Sequence, residues 1–316
     1  ADAEPSLYDL VAERLGVRVA DRLVDTLCRS VYSRPAAEAR LSQLHPGMWR
    51  EFVSRGSLLE AADAIATGQR AGAAVGGIAG GMWRLPTALA EAAEAHGAKI
   101  RTGVAVRAVR SDVETVTVET ASGSLSARHV VIATGPAEAA RLLAGAGAST
   151  RSPAAVRLVA AAIAHPALAA EPVGSGVIVD AALPTAAKAL THITAKWDWA
   201  RAATPDGIHL VRLSARDAAA GTLATADEVA REVSILTGVD VAAADVVDLV
   251  VQEWTDAVVG AAAPDDLPAG IHLAGAAAAG TGLASVIPHA RDLAARLDGA
   301  LAASLPSSSL HTHPVS

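Results

Sequence analysis

The chain has 316 residues, a length that suits about two domains. Hydrophobic residues make up 52% but aromatic residues only 3%, so we expect a core built largely from small side chains. Lysine and arginine total 26 against 33 acidic residues, a net charge of −7, which argues against a general nucleic-acid-binding protein. The single cysteine, Cys28, excludes an internal disulfide and a cysteine-based metal site, and it favours a cytoplasmic, reducing location.

The first segment reads as a helical module over residues 1–76. Residues 6–32 repeat apolar side chains at helical spacing, Ser6 is a typical N-cap, and Gly16 is placed to end the first helix. A loose helical period continues over residues 35–66, and the glycines of 68–81 mark a junction.

The order of elements then changes to that of a nucleotide-binding domain. We expect a helix over 85–96, a strand over 99–102 and further strands ending in VVIATGP, then a late strand at 271–274 and a helix over 284–303. Residues 77–150 and 262–303 are therefore predicted to form one α/β unit. Residues 155–260 are predicted to form a separate mixed sheet with a helix over 226–237, and residues 304–316 a disordered tail.

Two stretches have the character of ligand-binding strand ends. VVIATG at 130–135 is an apolar strand ending in small residues, where open sheets bind ligands. GIHLAGAAAAGTGLASVIP at 270–288 places Gly280 and Gly282 between a strand and a helix, and small residues there let a backbone approach a phosphate or a ring. A tight corner in an alanine-rich protein is the alternative explanation of the second stretch.

Together these stretches resemble the flavin-dependent amine oxidase superfamily, and within it the protoporphyrinogen and coproporphyrinogen oxidases of haem biosynthesis. The matching stretches are spread over residues 6–290 and are SLYDLVAERLGVRVADRLVDTLCRSVYS, GGMWRLPTALAEAAEAHGAKIRTGVAV with VVIATGPAEAARLL, GSGVIVDAALPTAAKALTHITAKWDWA and GIHLAGAAAAGTGLASVIPHA. The resemblance implies an α/β fold with a Rossmann-like FAD half, a mixed-sheet substrate domain, and a helical module that lines the substrate channel and can lie against a membrane.

The resemblance also implies a cofactor site and a reaction. The residues expected to contact FAD are Val104, Val106, Ala133, Thr134, Gly135, Trp254, Gly275, Ala276, Thr281, Gly282 and Leu283. The implied enzyme is an FAD-dependent oxidoreductase that oxidises protoporphyrinogen IX or coproporphyrinogen III to the porphyrin with O₂ as acceptor. Because the flavin performs the redox step, no catalytic side chain is assigned.

The chain departs from the family pattern where the family holds the FAD pyrophosphate. It contains no G-x-G-x-x-G turn, the Pro-x-Tyr segment before the last FAD strand is reduced to a short linker, and Ala276 stands where many members have an acidic residue. We therefore expect a partial FAD domain that binds FAD weakly or not at all, with a partner chain as a source of the absent region.

Two other functions stay open at this point, a flavin-free tetrapyrrole-binding or interaction protein derived from the family, and another amine-oxidase-type flavoenzyme acting on an amine or a polyene. The histidines lack H-x-x-x-H and H-E-x-x-H spacing, so no metal site is expected. Trp197 and Trp199 are predicted to lie two apart on one strand, where they either pack between sheet and helices or form a substrate-channel wall.

Overall fold

The structure is a computed structural model of the chain, and it describes residues 4–32, 34–66, 76–112, 115–144, 154–180, 182–216, 222–257, 266–280 and 282–303. The chain folds into two compact units. The first combines residues 1–102 with 155–255, and the second combines residues 103–154 with 256–316. Helices and strands are mixed along the chain, which confirms the predicted α/β class.

The α-helices of the described residues are α1 (Leu7–Leu15), α2 (Val17–Val19), α3 (Thr26–Val31), α4 (Leu41–Leu44), α5 (Pro46–Arg55), α6 (Leu58–Ala66), α7 (Arg84–Ala95), α8 (Pro136–Ala144), α9 (Ile193–Lys196), α10 (Asp198–Ala203), α11 (Ala226–Thr237), α12 (Ala276–Ala279) and α13 (Leu283–Ala303). A π-helical segment, Ala20–Asp25, joins α2 to α3. Short 3₁₀ helices cover Ala36–Glu38, Pro166–Ala170 and Ala243–Asp245. None of the helices in the described ranges is long and apolar enough to cross a bilayer.

The strands are β1 (Val106–Ser111), β2 (Val116–Thr120), β3 (Gly123–Ala127), β4 (Val130–Ile132), β5 (Ala154–Ile163), β6 (Gly176–Ile178), β7 (Ala187–His192), β8 (His209–Ala215), β9 (Val246–Ala257) and β10 (Ile271–Leu273). They form a sheet in the order β6-β7-β8-β5-β9, a second sheet in the order β1-β2-β3, and a pair of β10 with β4.

A small helical core opens the first unit. Ser6 Oγ accepts a hydrogen bond from the N–H of Asp9 at 3.1 Å, which confirms the predicted N-cap of α1. Gly16 ends that helix with a φ of +94°, a backbone conformation that favours glycine. The buried apolar side chains of α1 pack with those of the following helices, including Leu10, Phe52 and Leu58.

The five-stranded sheet of the first unit packs against α11. As the sequence predicts, α11 covers residues 226–237. It begins in a capping box between Thr225 and Glu228, and it ends at Gly238, whose φ is +72°. The buried carboxylate of Glu232 on α11 accepts a hydrogen bond from the N–H of Ala187 on β7 at 2.9 Å. Sheet and helix share one apolar core that includes Leu190, Leu213, Val229 and Val233.

Two local predictions are wrong because they depended on strand pairing. Residues 99–102 form no strand, and no strand in the described part of the chain pairs with them. The strand expected to carry Trp197 and Trp199 is not formed, because β7 ends at His192, where its pairing with β8 also ends. The chain then enters α9 and α10, so Trp199 is helical and does not share a strand face with Trp197. Asp198 stabilises the start of α10, since an acidic side chain in the first turn of a helix interacts favourably with the helix dipole.

The second unit contains the pair of β4 and β10. These strands run parallel, with Ile271 beside Val130 and Leu273 beside Ile132. The VVIATG and IHLAG stretches, both predicted to belong to one α/β unit, are therefore neighbours in one sheet. One apolar core joins them to the β1-β2-β3 sheet, α8 and α12, and it includes Val109, Val116, Ile132, Leu142, Leu143, Ile271 and Leu273.

The division into units differs from the predicted one at residues 77–102, which group with the first unit rather than with 262–303. The glycines at the start of this segment pack on tryptophan rings of that unit. A Cβ on Gly77 would lie 3.1 Å from Cη2 of Trp197, and one on Gly81 would lie 4.0 Å from Cη2 of Trp199. The helical module and the mixed sheet, predicted as separate domains, also share the first unit. The predicted disordered tail, 304–316, lies outside the described residues.

A substitution at Gly270 tests how closely the second unit is packed. Its φ is +76°, and a Cβ there would lie 2.7 Å from the carbonyl oxygen of Arg128 and 2.8 Å from Val116 Cγ2. We expect Gly270→Ala to lower the free energy of unfolding by about 2 to 5 kcal/mol, of which about 1 to 2 kcal/mol comes from the backbone conformation and the remainder from overpacking.

Gly103→Ala is the matched control for this variant, because its φ is +72° but no atom lies within 4 Å of the added Cβ. Chemical denaturation of both variants measures the difference. Equal losses of stability would contradict the close packing at Gly270.

Candidate functional site

The parallel pair ends in small residues on both strands. Residues 133–135 follow β4, and residues 274–276 follow β10. The N–H of Ala274 donates to the carbonyl oxygen of Ile132 at 2.9 Å, so pairing continues one residue past β10 and the two segments leave the sheet side by side. The carboxyl ends of parallel strands are the edge at which open α/β sheets bind ligands.

Gly275 brings these two segments into contact. A Cβ on Gly275 would lie 3.5 Å from the carbonyl oxygen of Ala133, and the φ of Gly275 is +72°. Ala133, Thr134 and Gly135 are all exposed. Because no side chain larger than threonine stands here, a ligand can approach the backbone of both strand ends closely.

The backbone of β4 bonds to β10 along one edge only. The N–H of Val130 donates to Gly270 O at 2.8 Å, and Ile132 O accepts from Ala274, so residues 130 and 132 face β10. The N–H and carbonyl of Val131 therefore face the opposite edge. No strand in the described ranges pairs with that edge, and Val131 is 43% exposed.

Arg141 fixes the start of β1 against α8. Its guanidinium donates to the carbonyl oxygens of Arg107 at 2.7 Å and Val106 at 2.8 Å. The same group donates to Glu138 on the preceding turn, which holds the pKa of that carboxyl below its usual value and keeps it ionised. Val106 also packs against the core under the strand pair.

The structure brings together part of the predicted cofactor set. Ala133 lies beside Gly275, and Thr134, Gly135 and Ala276 are the next residues along the two segments. Val106 packs on the core under the strand pair, while Val104 is exposed two residues before it. Gly282 precedes α13, and Leu283 begins it. Thr281 lies outside the described residues. Trp254 belongs to β9 in the first unit, whereas the other members belong to the second.

The glycine-containing turn before α13 is not tightly packed at Gly282. Gly280 and Gly282 have φ values of +76° and +110°, so both adopt conformations that favour glycine. A Cβ on Gly282 would have no neighbour within 4 Å, and Leu283 is 47% exposed. Glycine is therefore needed at position 282 for its backbone conformation and not because neighbouring atoms crowd it.

Sequence reasoning missed a histidine pair near the amino ends of β4 and β10, the ends opposite residues 133–135 and 274–276. His129 Nδ1 and His272 Nε2 are 3.2 Å apart, next to β4 and on β10. Burial lowers the pKa of His272, and the nearby His129 and Arg296 act in the same direction. The two histidines are 143 positions apart, so only the register of the parallel pair would have predicted their contact.

Comparisons with solved structures show a shared fold. A structure from Exiguobacterium sp. 255-15 described as a "putative protoporphyrinogen oxidase" matches with a TM-score of 0.73 at 17% identity, covering 95% of this chain and 68% of that one. An oxidoreductase from Methanosarcina mazei matches with a TM-score of 0.58 at 15% identity, covering 93% and 68%. A putrescine oxidase bound to putrescine matches with a TM-score of 0.59 at 16% identity, covering 94% and 68%.

A search of curated protein sequences finds no match. The family model for flavin-containing amine oxidoreductases matches residues 1–291. That match covers most of the chain and includes both strands that carry the candidate site. The chain therefore belongs to the flavin-containing amine oxidoreductase family.

Proposed function

We propose that this chain is part of an FAD-dependent porphyrinogen oxidase that converts protoporphyrinogen IX or coproporphyrinogen III to the porphyrin, with O₂ as electron acceptor. The observation that carries the proposal is the contact between the small-residue strand ends 133–135 and 274–276, in a chain of a flavoenzyme family. The porphyrinogen substrate is supported by the TM-score of 0.73 with the Exiguobacterium protein, against 0.59 for the putrescine oxidase.

The residues at the strand ends fit one portion of FAD. They expose backbone and carry small side chains, and Gly275 keeps the two segments close. The described residues of the second unit that the resemblance assigns to the cofactor are Val104, Val106, Ala133, Thr134, Gly135, Gly275, Ala276, Gly282 and Leu283. When bound, FAD supplies the hydride-accepting ring, and the protein supplies position and electrostatics.

We infer that a strand–turn–helix segment from outside these 316 residues completes the flavin site. Parallel strands are normally covered on both faces and paired on both sides, yet β4 is paired only with β10 among the described strands. The sequence contains no G-x-G-x-x-G turn to hold the pyrophosphate. About a third of the Exiguobacterium protein has no counterpart here, since the match covers 68% of it.

FAD titration tests this inference. Each backbone or helix-terminus bond to a charged pyrophosphate oxygen is worth about 1.5 to 3 kcal/mol, so the absence of three such bonds weakens FAD binding by about three to six orders of magnitude. We expect the 316-residue chain alone to bind FAD weakly or not at all, and the chain co-expressed with the G-x-G-x-x-G region of a family porphyrinogen oxidase to purify with bound FAD.

Val131→Pro and Val131→Thr form the matched pair for this experiment. Proline removes the N–H that faces the open edge and leaves the bonds of residues 130 and 132 to β10, whereas threonine keeps the N–H and the β-branched shape. Proline should abolish recruitment of the segment, and threonine should preserve it. A yellow, stoichiometrically loaded chain without the segment, or no FAD with it, would contradict the inference.

Substrate assays on the completed protein separate the alternatives. We expect porphyrin fluorescence to appear from a porphyrinogen in the presence of O₂. Turnover of putrescine but not of a porphyrinogen would instead assign the chain to amine oxidation. Tetrapyrrole binding by the chain alone, without flavin binding by the completed protein, would favour a flavin-free binding protein.

The variant Gly282→Val tests whether the turn before α13 binds the cofactor or only connects α12 to α13. Within the chain alone a Cβ at this position has no neighbour within 4 Å, so we expect stability to fall mainly by the backbone cost of about 1 to 2 kcal/mol. In the FAD-completed protein, we expect at least a tenfold loss of FAD affinity, because the side chain occupies space needed by the cofactor.

Gly123→Val is the control for this variant, since Gly123 also has a positive φ, +131°, and an open Cβ position at the start of β3. Thermal unfolding and FAD titration are measured on the same samples. A lowered midpoint with unchanged FAD affinity in both variants would remove Gly282 from the cofactor site.

A further inference from the structure

A second histidine pair lies inside the first unit. His192 is the last residue of β7 and His209 the first of β8, and they are only 2% and 6% exposed. His192 Nε2 and His209 Nδ1 are 3.3 Å apart, with the rings edge to face. The pair therefore joins the two ends of the connection formed by residues 193–208.

The charged groups that act on this pair come from two neighbouring segments, α10 and the two ends of the 3₁₀ helix Pro166–Ala170. Burial is the main cause that lowers the pKa of both rings. Arg201 on α10 lowers both pKa values further, and Glu171 opposes this. For His209, the charges of His192 and His165 also lower the pKa.

The hydrogen bond between the rings requires one of them to be neutral. A neutral imidazole has one nitrogen that accepts and one that donates, whereas a protonated ring has only donors. If both rings take up a proton from solvent, two donors face each other at 3.3 Å and two cations share a buried site. Double protonation therefore both breaks the bond and makes the two rings repel each other.

The connection between the two histidines carries a contact surface for another part of the first unit. It contains Trp197 and Trp199, on whose rings residues 77–81 pack. A Cβ on Gly77 would lie within 3.4 Å of three atoms of the Trp197 ring. Movement of residues 193–208 would therefore change the surroundings of residues 77–81.

We propose that His192 and His209 form an acid-sensitive latch, in which proton uptake by both rings separates the start of β8 from the end of β7 and frees residues 193–208 and 77–81. This property belongs to the first unit and does not depend on flavin binding.

The direction of the pH effect follows from the lowered pKa values. In the closed state both rings titrate below the usual histidine value of about 6.5, so the open state binds more protons at mildly acidic pH. The latch is fully stable above about pH 6.5 and weakens as the pH falls below it. With two protons linked to opening, the opening equilibrium constant rises by up to about a hundredfold per pH unit.

Hydrogen–deuterium exchange on the 316-residue chain tests the proposal. Peptides covering 187–212 and 76–83 are followed between pH 7.5 and 5, corrected for intrinsic exchange rates. We expect protection in both to fall steeply below pH 6.5 in the wild type and to become insensitive to pH in His192→Gln/His209→Gln. Glutamine keeps a donor and an acceptor but cannot take up a proton in this range.

His129→Gln/His272→Gln is the matched control, because it removes a histidine pair of similar separation in the second unit. This variant should retain the acid transition of residues 187–212. The proposal is overturned if the wild type keeps its protection at pH 5, or if His192→Gln/His209→Gln opens at the same pH as the wild type.

If His192→Gln/His209→Gln fails to fold, NMR of the histidine ring protons in the wild type tests the proposal instead. The proposal expects two rings that titrate together below pH 6.5, at the pH where protection of 187–212 is lost. Independent titration of both rings near pH 6.5, with no loss of protection, would overturn it.

Discussion

The parallel pairing of β4 with β10 is the interaction on which the candidate site depends. The two strands have three residues each, and so short a pair is not stable by itself. It is held by the apolar core that α8, α12 and the β1-β2-β3 sheet share with it. The register of this pair places Gly275 beside Ala133, and a shift by one residue would turn the buried Ile271 and Leu273 out of the core.

The same pairing underlies the proposal that this chain holds part of a flavin site and that a segment from elsewhere completes it. Residues 130 and 132 use their backbone groups on β10, which leaves those of Val131 directed to the open edge. The strand ends offer exposed backbone and small side chains, but the sequence has no glycine-rich phosphate turn. A second strand on the open edge would both complete the sheet and bring such a turn to the strand ends.

Signals in the sequence were sufficient to predict where α1 and α11 begin and end and to identify the strands β4 and β10. Ser6, Thr225 and Gly238 act within one or two turns of their own positions, so their roles could be predicted without tertiary structure. The prediction of a strand over 99–102 was wrong because a strand needs a neighbouring strand to pair with. The prediction of a strand carrying Trp197 and Trp199 was wrong because β7 ends where its pairing with β8 ends.

Contacts between distant residues limited the prediction of the site. The grouping of residues 77–102 depends on the packing of Gly77 and Gly81 on Trp197 and Trp199, more than a hundred positions later. The partners of the two histidine pairs are 17 and 143 positions apart. The small-residue strand ends were predictable because composition and order alone mark them, and their role toward FAD stays a prediction.

Hydrogen exchange of the Val131 amide distinguishes an open edge of β4 from one paired with a further strand. In the chain alone, Val131 N–H should exchange much faster than Val130 N–H, which is bonded to Gly270. With the G-x-G-x-x-G segment and FAD present, we expect Val131 N–H to become as protected as Val130 N–H. Protection of Val131 in the chain alone, or continued fast exchange in an FAD-loaded complex, would contradict it.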